Sequence, residues 1–448
     1  MPKKIVVIGA HAAGVDAASA ARKTDRTAEV TLITKEKHAG YSRCGLPFVL
    51  GGHIPGFRDL TVFSPSYYQM MKLQLKTETT VTGINPANKT VSAVNKADST
   101  ETMPYDSLII TTGAYSFVPP IKGKEKQGVC SLRTIEDGQQ IERAIKNGAR
   151  NAAVVGAGLI GLETAIALKE RGVNTTVIEL LPQVLPTMLD AEMAKQVQEM
   201  LEQRGIRMLV GKGVEEILGG EKTTAVSTSG EQIPADIVVV ATGVRASTEL
   251  AVKAGVALGE TKAIKTNSKM ETNVKDIFAA GDCAESINIV TRKPACPQLG
   301  TVAVRHGKVA GINAAGGYAQ FTGVLGSAVT QLFDTQIGVT GITESFAKRE
   351  GMEIVAGTIA SKTRADYYPG ARSIKVKLVA EKESQQVIGA QIIGGEEATQ
   401  RINALSFAIQ KHMTVRELAK VDTAYAPPLC ETWEPMVLAA EMVLMKLR

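Results

Sequence analysis

An α/β fold with two Rossmann-like nucleotide-binding domains and a C-terminal α+β domain is what this 448-residue sequence predicts. Three observations lead there. A strand, glycine turn, helix, strand unit at the N-terminus is repeated near residue 152. Each copy is followed by an apolar strand that ends in Thr-Gly. From about Gly326 the texture changes to alternating strand-like segments with two helices.

In the first unit, Ile5-Val6-Val7-Ile8 reads as a strand, Gly9 to Gly14 as the turn, Ala17 to Arg22 as a small-residue helix and Val30 to Ile33 as the second strand. The opening Met1-Pro2-Lys3-Lys4 is basic, but the apolar run behind it is only strand length and enters glycines without a cleavage site, so it reads as a buried strand rather than a secretory signal. The second unit runs Ala152 to Val155, Gly156-Ala157-Gly158-Leu159-Ile160-Gly161, a helix through Lys169, and Thr175 to Glu179. The closing strands are Tyr105 to Gly113 and Ala235 to Gly243. A strand such as Ser373 to Val379 and helices over Glu397 to Lys411 and Trp433 to Leu447 make up the last part. The expected domains are 1–115 with 245–325, interrupted by 116–244, and then 326–448.

Composition narrows the function classes. The chain is 44% apolar with a formal charge of +6 spread along its length, which does not point to nucleic acid. No apolar run approaches the roughly twenty residues of a membrane span, so the expected location is cytoplasmic. Cys44, Cys130, Cys283, Cys296 and Cys430 are odd in number and lack both a disulfide framework and zinc spacing.

The second turn carries all three glycines, Gly156, Gly158 and Gly161, so a pyrophosphate can approach the backbone at a helix N-terminus. Glu179 follows 18 residues after Gly161, and no Arg or Lys intervenes before Pro182. A carboxylate there accepts from an adenosine ribose and repels a 2′-phosphate, favouring NADH, with NADPH the less favoured donor. In the first turn His11 stands at the middle glycine, where its side chain must turn away from phosphates, and Glu36 is the expected ribose ligand. Cys44 opens Cys44-Gly45-Leu46-Pro47-Phe48-Val49, and the second sulfur of a redox dithiol would fall at Val49. Cys44 therefore has to bond an external sulfur or oxygen.

Together with Leu132-Arg133-Thr134, Thr272 to Asp282, Tyr367-Tyr368-Pro369-Gly370 and Tyr425-Ala426-Pro427-Pro428, this ordered set resembles the pyridine nucleotide-disulfide oxidoreductases. Within them it is similar to the single-cysteine branch of CoA-disulfide reductases, NADH oxidases, NADH peroxidases and polysulfide reductases. The resemblance implies FAD in the first, discontinuous domain, NAD(H) in the second, and a C-terminal dimerisation domain forming a homodimer. Asp282 would hold the ribityl chain, and Leu299-Gly300-Thr301 would open a helix toward the flavin pyrimidine. Gly9, His11, Ala12, Gly14, Glu36, Arg43, Val81, Thr112, Gly113 and Arg133 complete the flavin set, and Ile160, Glu163 and Gly243 join the nicotinamide nucleotide set.

The same resemblance puts Cys44 against the flavin at a helix start that lowers its thiol pKa. It makes Tyr367 and Tyr425, brought from the partner subunit, the candidates for substrate contact or acid assistance, because no histidine lies in Val421 to Pro435. Cys430 reads as an inert packed thiol, with a second, intersubunit redox sulfur as the alternative. Relatives that reduce peroxide carry their histidine at the place of Ala12, and those that bind CoA carry Ser and Asn at the places of Gly40 and Arg43. The expected activity is electron transfer from NAD(P)H through flavin to a disulfide, polysulfide or CoA derivative at Cys44. The alternatives are an NADH oxidase or peroxidase working through a sulfenic acid, and an NADH-binding redox sensor.

Overall fold

The computed structural model describes residues 1–447. The N-terminal repeat forms a five-stranded parallel sheet in the order Ile277–Ala279, Ser107–Ile110, Lys4–Ile8, Glu29–Ile33, Leu73–Lys76. The second repeat builds the same design from Arg207–Val210, Asn174–Glu179, Asn151–Val155, Ile237–Val240 and Val129–Cys130. Strands buried on both faces need continuous apolar runs, which is why Ile5 to Ile8 and Ile237 to Val240 were legible. Each Thr-Gly strand is preceded by a three-stranded antiparallel meander, Thr79–Pro104 in the first copy and Glu216–Pro234 in the second.

The first helix spans Ala12–Thr24, starting five residues ahead of the expected Ala17. Gly14 lies inside its first turn because a Cβ there would stand 1.8 Å from the Gly9 carbonyl oxygen. Only a glycine lets the helix close onto the turn. The helix Gly300–Ala314 crosses it equally tightly, since Cβ atoms on Gly307 and Gly311 would meet the carbonyls of Ala13 and Ala17 at 2.2 and 2.1 Å.

The two crossings of the chain between the parallel sheets pair as an antiparallel ribbon, Ala114–Ser116 with Val244–Ala246. The C-terminal part is a five-stranded antiparallel sheet ordered Ala328–Leu332, Thr335–Gly341, Val387–Gly394, Ser373–Glu381, Ile354–Lys362. Helices Ala398–Gln410 and Pro435–Leu447 pack on it. No described helix is long and apolar enough to cross a membrane.

Candidate functional site

A cavity of about 2700 Å³ opens where the two parallel sheets meet the edge of the C-terminal sheet. Single small-molecule pockets run to about 1000 Å³, so this one has room for more than one ligand. Its wall contains Cys44 and every residue of the expected cofactor sets except Gly161.

In the second turn the three glycines do different work. Gly156 has φ +110°, and a Cβ on it would lie 2.4 Å from the Ala241 carbonyl oxygen. Gly161 faces away from the cavity, where a Cβ would lie 2.0 Å from the Gly156 carbonyl oxygen, so its role is packing helix on turn. Gly158 has nothing within 4 Å of its Cβ position, leaving an open cradle beside the N-terminus of helix Leu159–Glu170. Glu179 is buried, and its carboxylate accepts from the amides of Ala157 at 2.7 Å and Leu181 at 2.8 Å. It is thereby fixed at the strand end with lone pairs left for a further donor.

The first turn is organised around Glu36. Gly9, at φ +115°, comes so close to Thr111 that a Cβ would reach its carbonyl oxygen at 2.2 Å. His11 caps the following helix by position, and its ring is turned back so that Nε2 stands 3.0 Å from Glu36 Oε2 and the ring meets Tyr41 edge-on at 4.8 Å. Tyr41 donates to Glu36 at 3.0 Å and Arg43 donates to its other oxygen at 2.5 Å. Burial opposes the Glu36 charge, but His11 and Arg43 outweigh it and hold the carboxyl down at about 2. Burial also lowers the His11 pKa. Glu36 lines the cavity already committed to three partners that sequence reasoning did not assign.

Cys44 lies in the single turn Arg43–Gly45, just ahead of helix Leu46–Leu50, with Pro47 in its first turn. Its exposed surface faces the cavity. The expected lowering of its pKa is not what the protein alone provides. Burial by the surrounding walls pushes the thiol up, the carboxylates of Glu163 and Asp282 add to this, and Arg133 with the cysteine's own backbone amide opposes them without prevailing. A five-residue helix carries only a small dipole to set against two carboxylates.

Arg133 donates to Asp282 at 3.1 Å and is itself tied to Arg43, which donates to the Arg133 carbonyl at 2.7 Å. Glu163 is pushed up by burial, and Thr330 donates to it at 2.7 Å from the C-terminal sheet. Sequence reading had no signal for Thr330, since 167 residues separate the pair. Leu299 caps helix Gly300–Ala314 without a side-chain hydrogen bond, so that amide end is open to the cavity beside Thr301. Val81, Thr112 and Gly113 line the same wall.

Tyr367 and Tyr425 stand apart from this cavity within one chain. They are exposed, and their hydroxyls meet each other at 2.9 Å. Cys430 lies in the same segment as Tyr425, with its thiol directed at the Ala424 carbonyl at 3.1 Å. Cys283 is fully buried, and burial pushes Cys130 and Cys296 up to about 12, as inert thiols require.

Residues 3–307 match the family model described as pyridine nucleotide-disulphide oxidoreductase, and residues 327–437 match its dimerisation domain. An NADH oxidase of Methanocaldococcus jannaschii is 44% identical over 446 residues, 99% of both chains. A CoA-dependent NAD(P)H sulfur oxidoreductase of Pyrococcus furiosus is 34% identical, covering 98% of this chain and 99% of that one. Among solved structures, an NAD-dependent persulfide reductase from A. fulgidus superposes with a TM-score of 0.96 at 39% identity, over 99% of this chain and 83% of the other.

Proposed function

The chain belongs to the pyridine nucleotide-disulphide oxidoreductase family, and on that premise we propose that it uses FAD to pass two electrons from NADH to a disulfide or polysulfide sulfur bonded at Cys44. The observation that carries this reading is the convergence on one cavity of both glycine turns, Asp282, the open end of helix Gly300–Ala314 and a single thiol. The open cradle at Gly158 and the uncapped amides at Leu299 fit the pyrophosphate and flavin ends of the two nucleotides.

FAD, when bound, supplies the two-electron relay between nicotinamide and sulfur. Glu179 orients the adenosine ribose and disfavours a 2′-phosphate. Asp282, steadied by Arg133, would hold the ribityl chain. Cys44, as thiolate, attacks RSSR, releasing one RS⁻ and forming a Cys44–S–S–R bond. Two electrons and a proton return Cys44 to its starting state with release of the second thiol, so that NADH + H⁺ + RSSR gives NAD⁺ + 2 RSH. With polysulfide, the same attack leaves a persulfide on Cys44.

In a homodimer, the Tyr367–Tyr425 hydroxyl pair of the partner subunit is the candidate proton donor to the departing thiolate. Their exposure and their distance from their own cavity support that reading. Unpaired cysteines fit a reducing, cytoplasmic setting.

An NADH oxidase activity is the second reading, favoured by the 44% identical relative of that name. A peroxidase role is less supported, because the His11 ring is engaged with Glu36 and Tyr41. NADH consumption measured in parallel with disulfide, polysulfide, peroxide and oxygen separates these. Sustained turnover is expected with disulfide or polysulfide, whereas none with any acceptor would make the protein a sensor.

A further inference from the structure

Lys377 is among the largest fully buried side chains of the molecule, in the middle of strand Ser373–Glu381 and 1% exposed. Its ammonium lies 2.9 Å from Asp190 Oδ2 and 2.7 Å from Glu344 Oε2, and it also pairs with Glu192. Carboxylate oxygens of these three acids lie within 4.8 Å of one another. Like charges at that spacing repel unless a cation sits among them, and a buried lysine without anions would lose its charge. The cluster joins two parts of the chain: Asp190 and Glu192 sit at the start of helix Ala191–Gln203, which belongs with the second nucleotide-binding sheet, while Lys377 and Glu344 belong to the C-terminal part.

Asp190 is bound on every side. Its carboxylate also accepts from the amides of Ser345 at 2.9 Å and Glu344 at 3.1 Å and from Gln391 Nε2 at 2.5 Å, and its own amide donates to Gln391 Oε1 at 2.8 Å. It makes no side-chain hydrogen bond to cap its own helix. An aspartate at a helix start ordinarily does so. Here that capacity is directed across the boundary.

The segment that ends at Asp190 begins at Glu179. Between them Leu180, Leu181, Leu185, Pro186, Thr187 and Met188 line the cavity. Leu185 is buried with φ +45°, a left-handed conformation that a leucine keeps only when its surroundings hold it. Its amide donates to the Ala157 carbonyl at 2.9 Å, inside the glycine turn, and Gln183 bridges to the Leu189 carbonyl at 2.7 Å. One end of the segment is fixed by Glu179 and the other by the cluster around Lys377.

We propose that Lys377 is a positioning residue for the nicotinamide nucleotide: through Asp190 it holds the wall formed by residues 180–190 in the shape that receives the adenosine end, tying donor affinity to the docking of the C-terminal sheet. The inference rests on the reading that this end of the cavity takes NADH.

The test uses the FAD-loaded protein, with Lys377→Met, Lys377→Arg and Gln391→Leu beside the wild type. ADP-ribose, which carries the adenosine and pyrophosphate without the reactive ring, is titrated by calorimetry, and NADH kinetics are measured at saturating acceptor. Lys377→Met is expected to weaken ADP-ribose binding and raise the KM for NADH by about tenfold, with kcat within about twofold and partial recovery in Lys377→Arg. Gln391→Leu removes only hydrogen bonds to Asp190 and shifts the same two readouts in the same direction, which keeps the test intact if Lys377→Met does not fold. Lower thermal stability with unchanged ADP-ribose affinity would make the cluster purely structural and overturn the proposal. A wild type that binds no ADP-ribose would overturn it together with the functional reading on which it rests.

Discussion

Replacing His306 with leucine is expected to make the protein more resistant to acid. His306 lies on helix Gly300–Ala314, is 1% exposed, and has neither ring nitrogen hydrogen-bonded among the described residues. Its ring meets Phe321 edge-on at 4.4 Å. Burial alone pushes its pKa down to about 4 from an ordinary 6.5. The unfolded chain therefore takes up the proton more readily than the folded one, so stability is whole above pH 6.5 and is lost as pH falls toward 4. The full gap corresponds to about 3 kcal/mol, of which about 2 kcal/mol is spent by about pH 4.5. His306→Leu removes this proton uptake along with two unpaired buried nitrogens. Urea unfolding of wild type and variant at neutral pH and at about pH 4.5 reads the difference, with the wild type losing about 2 kcal/mol more than the variant on acidification. Identical acid losses in the two proteins would refute the argument.

Three further outcomes are expected. Glu179→Ala should raise the NADPH/NADH ratio of kcat/KM by about tenfold or more, the loss of a ribose hydrogen bond and of a repulsion; an unchanged ratio in steady-state assays removes Glu179 from its role. Gly158→Ala fills an open cradle and Gly161→Ala collides with the Gly156 carbonyl, so the first should raise the KM for NADH by about tenfold at unaltered Tm while the second lowers Tm. The reverse pattern would assign the two glycines wrongly. In flavin-free protein the alkylation rate of Cys44 should still be rising at pH 9.0, its ordinary pKa, because burial and the neighbouring carboxylates raise it; a plateau already at neutral pH would contradict this.

Local patterns announced most of the scaffold. The strands Ile5 to Ile8 and Ala152 to Val155, both glycine turns and the Thr-Gly ends are contiguous in sequence, so their chemistry is visible without the fold. What stayed hidden depends on long-range approach. The Glu163–Thr330 hydrogen bond and the Lys377–Asp190 pair each join residues far apart in the chain. Lys377 sits in an alternating strand where a lysine reads as the solvent face, and only tertiary packing reverses that. The raised Cys44 pKa of the protein alone stayed hidden for a related reason: the helix start was legible, while the opposing Glu163 and Asp282 come from remote segments.

Cys44→Ser tests the central claim most directly. NADH-dependent disulfide or polysulfide reduction is expected to fall by at least about a hundredfold, because the covalent step is gone, while anaerobic NADH still bleaches the flavin absorbance in a single turnover. Full disulfide reduction by the variant would show that the acceptor never bonds Cys44 and would contradict the mechanism.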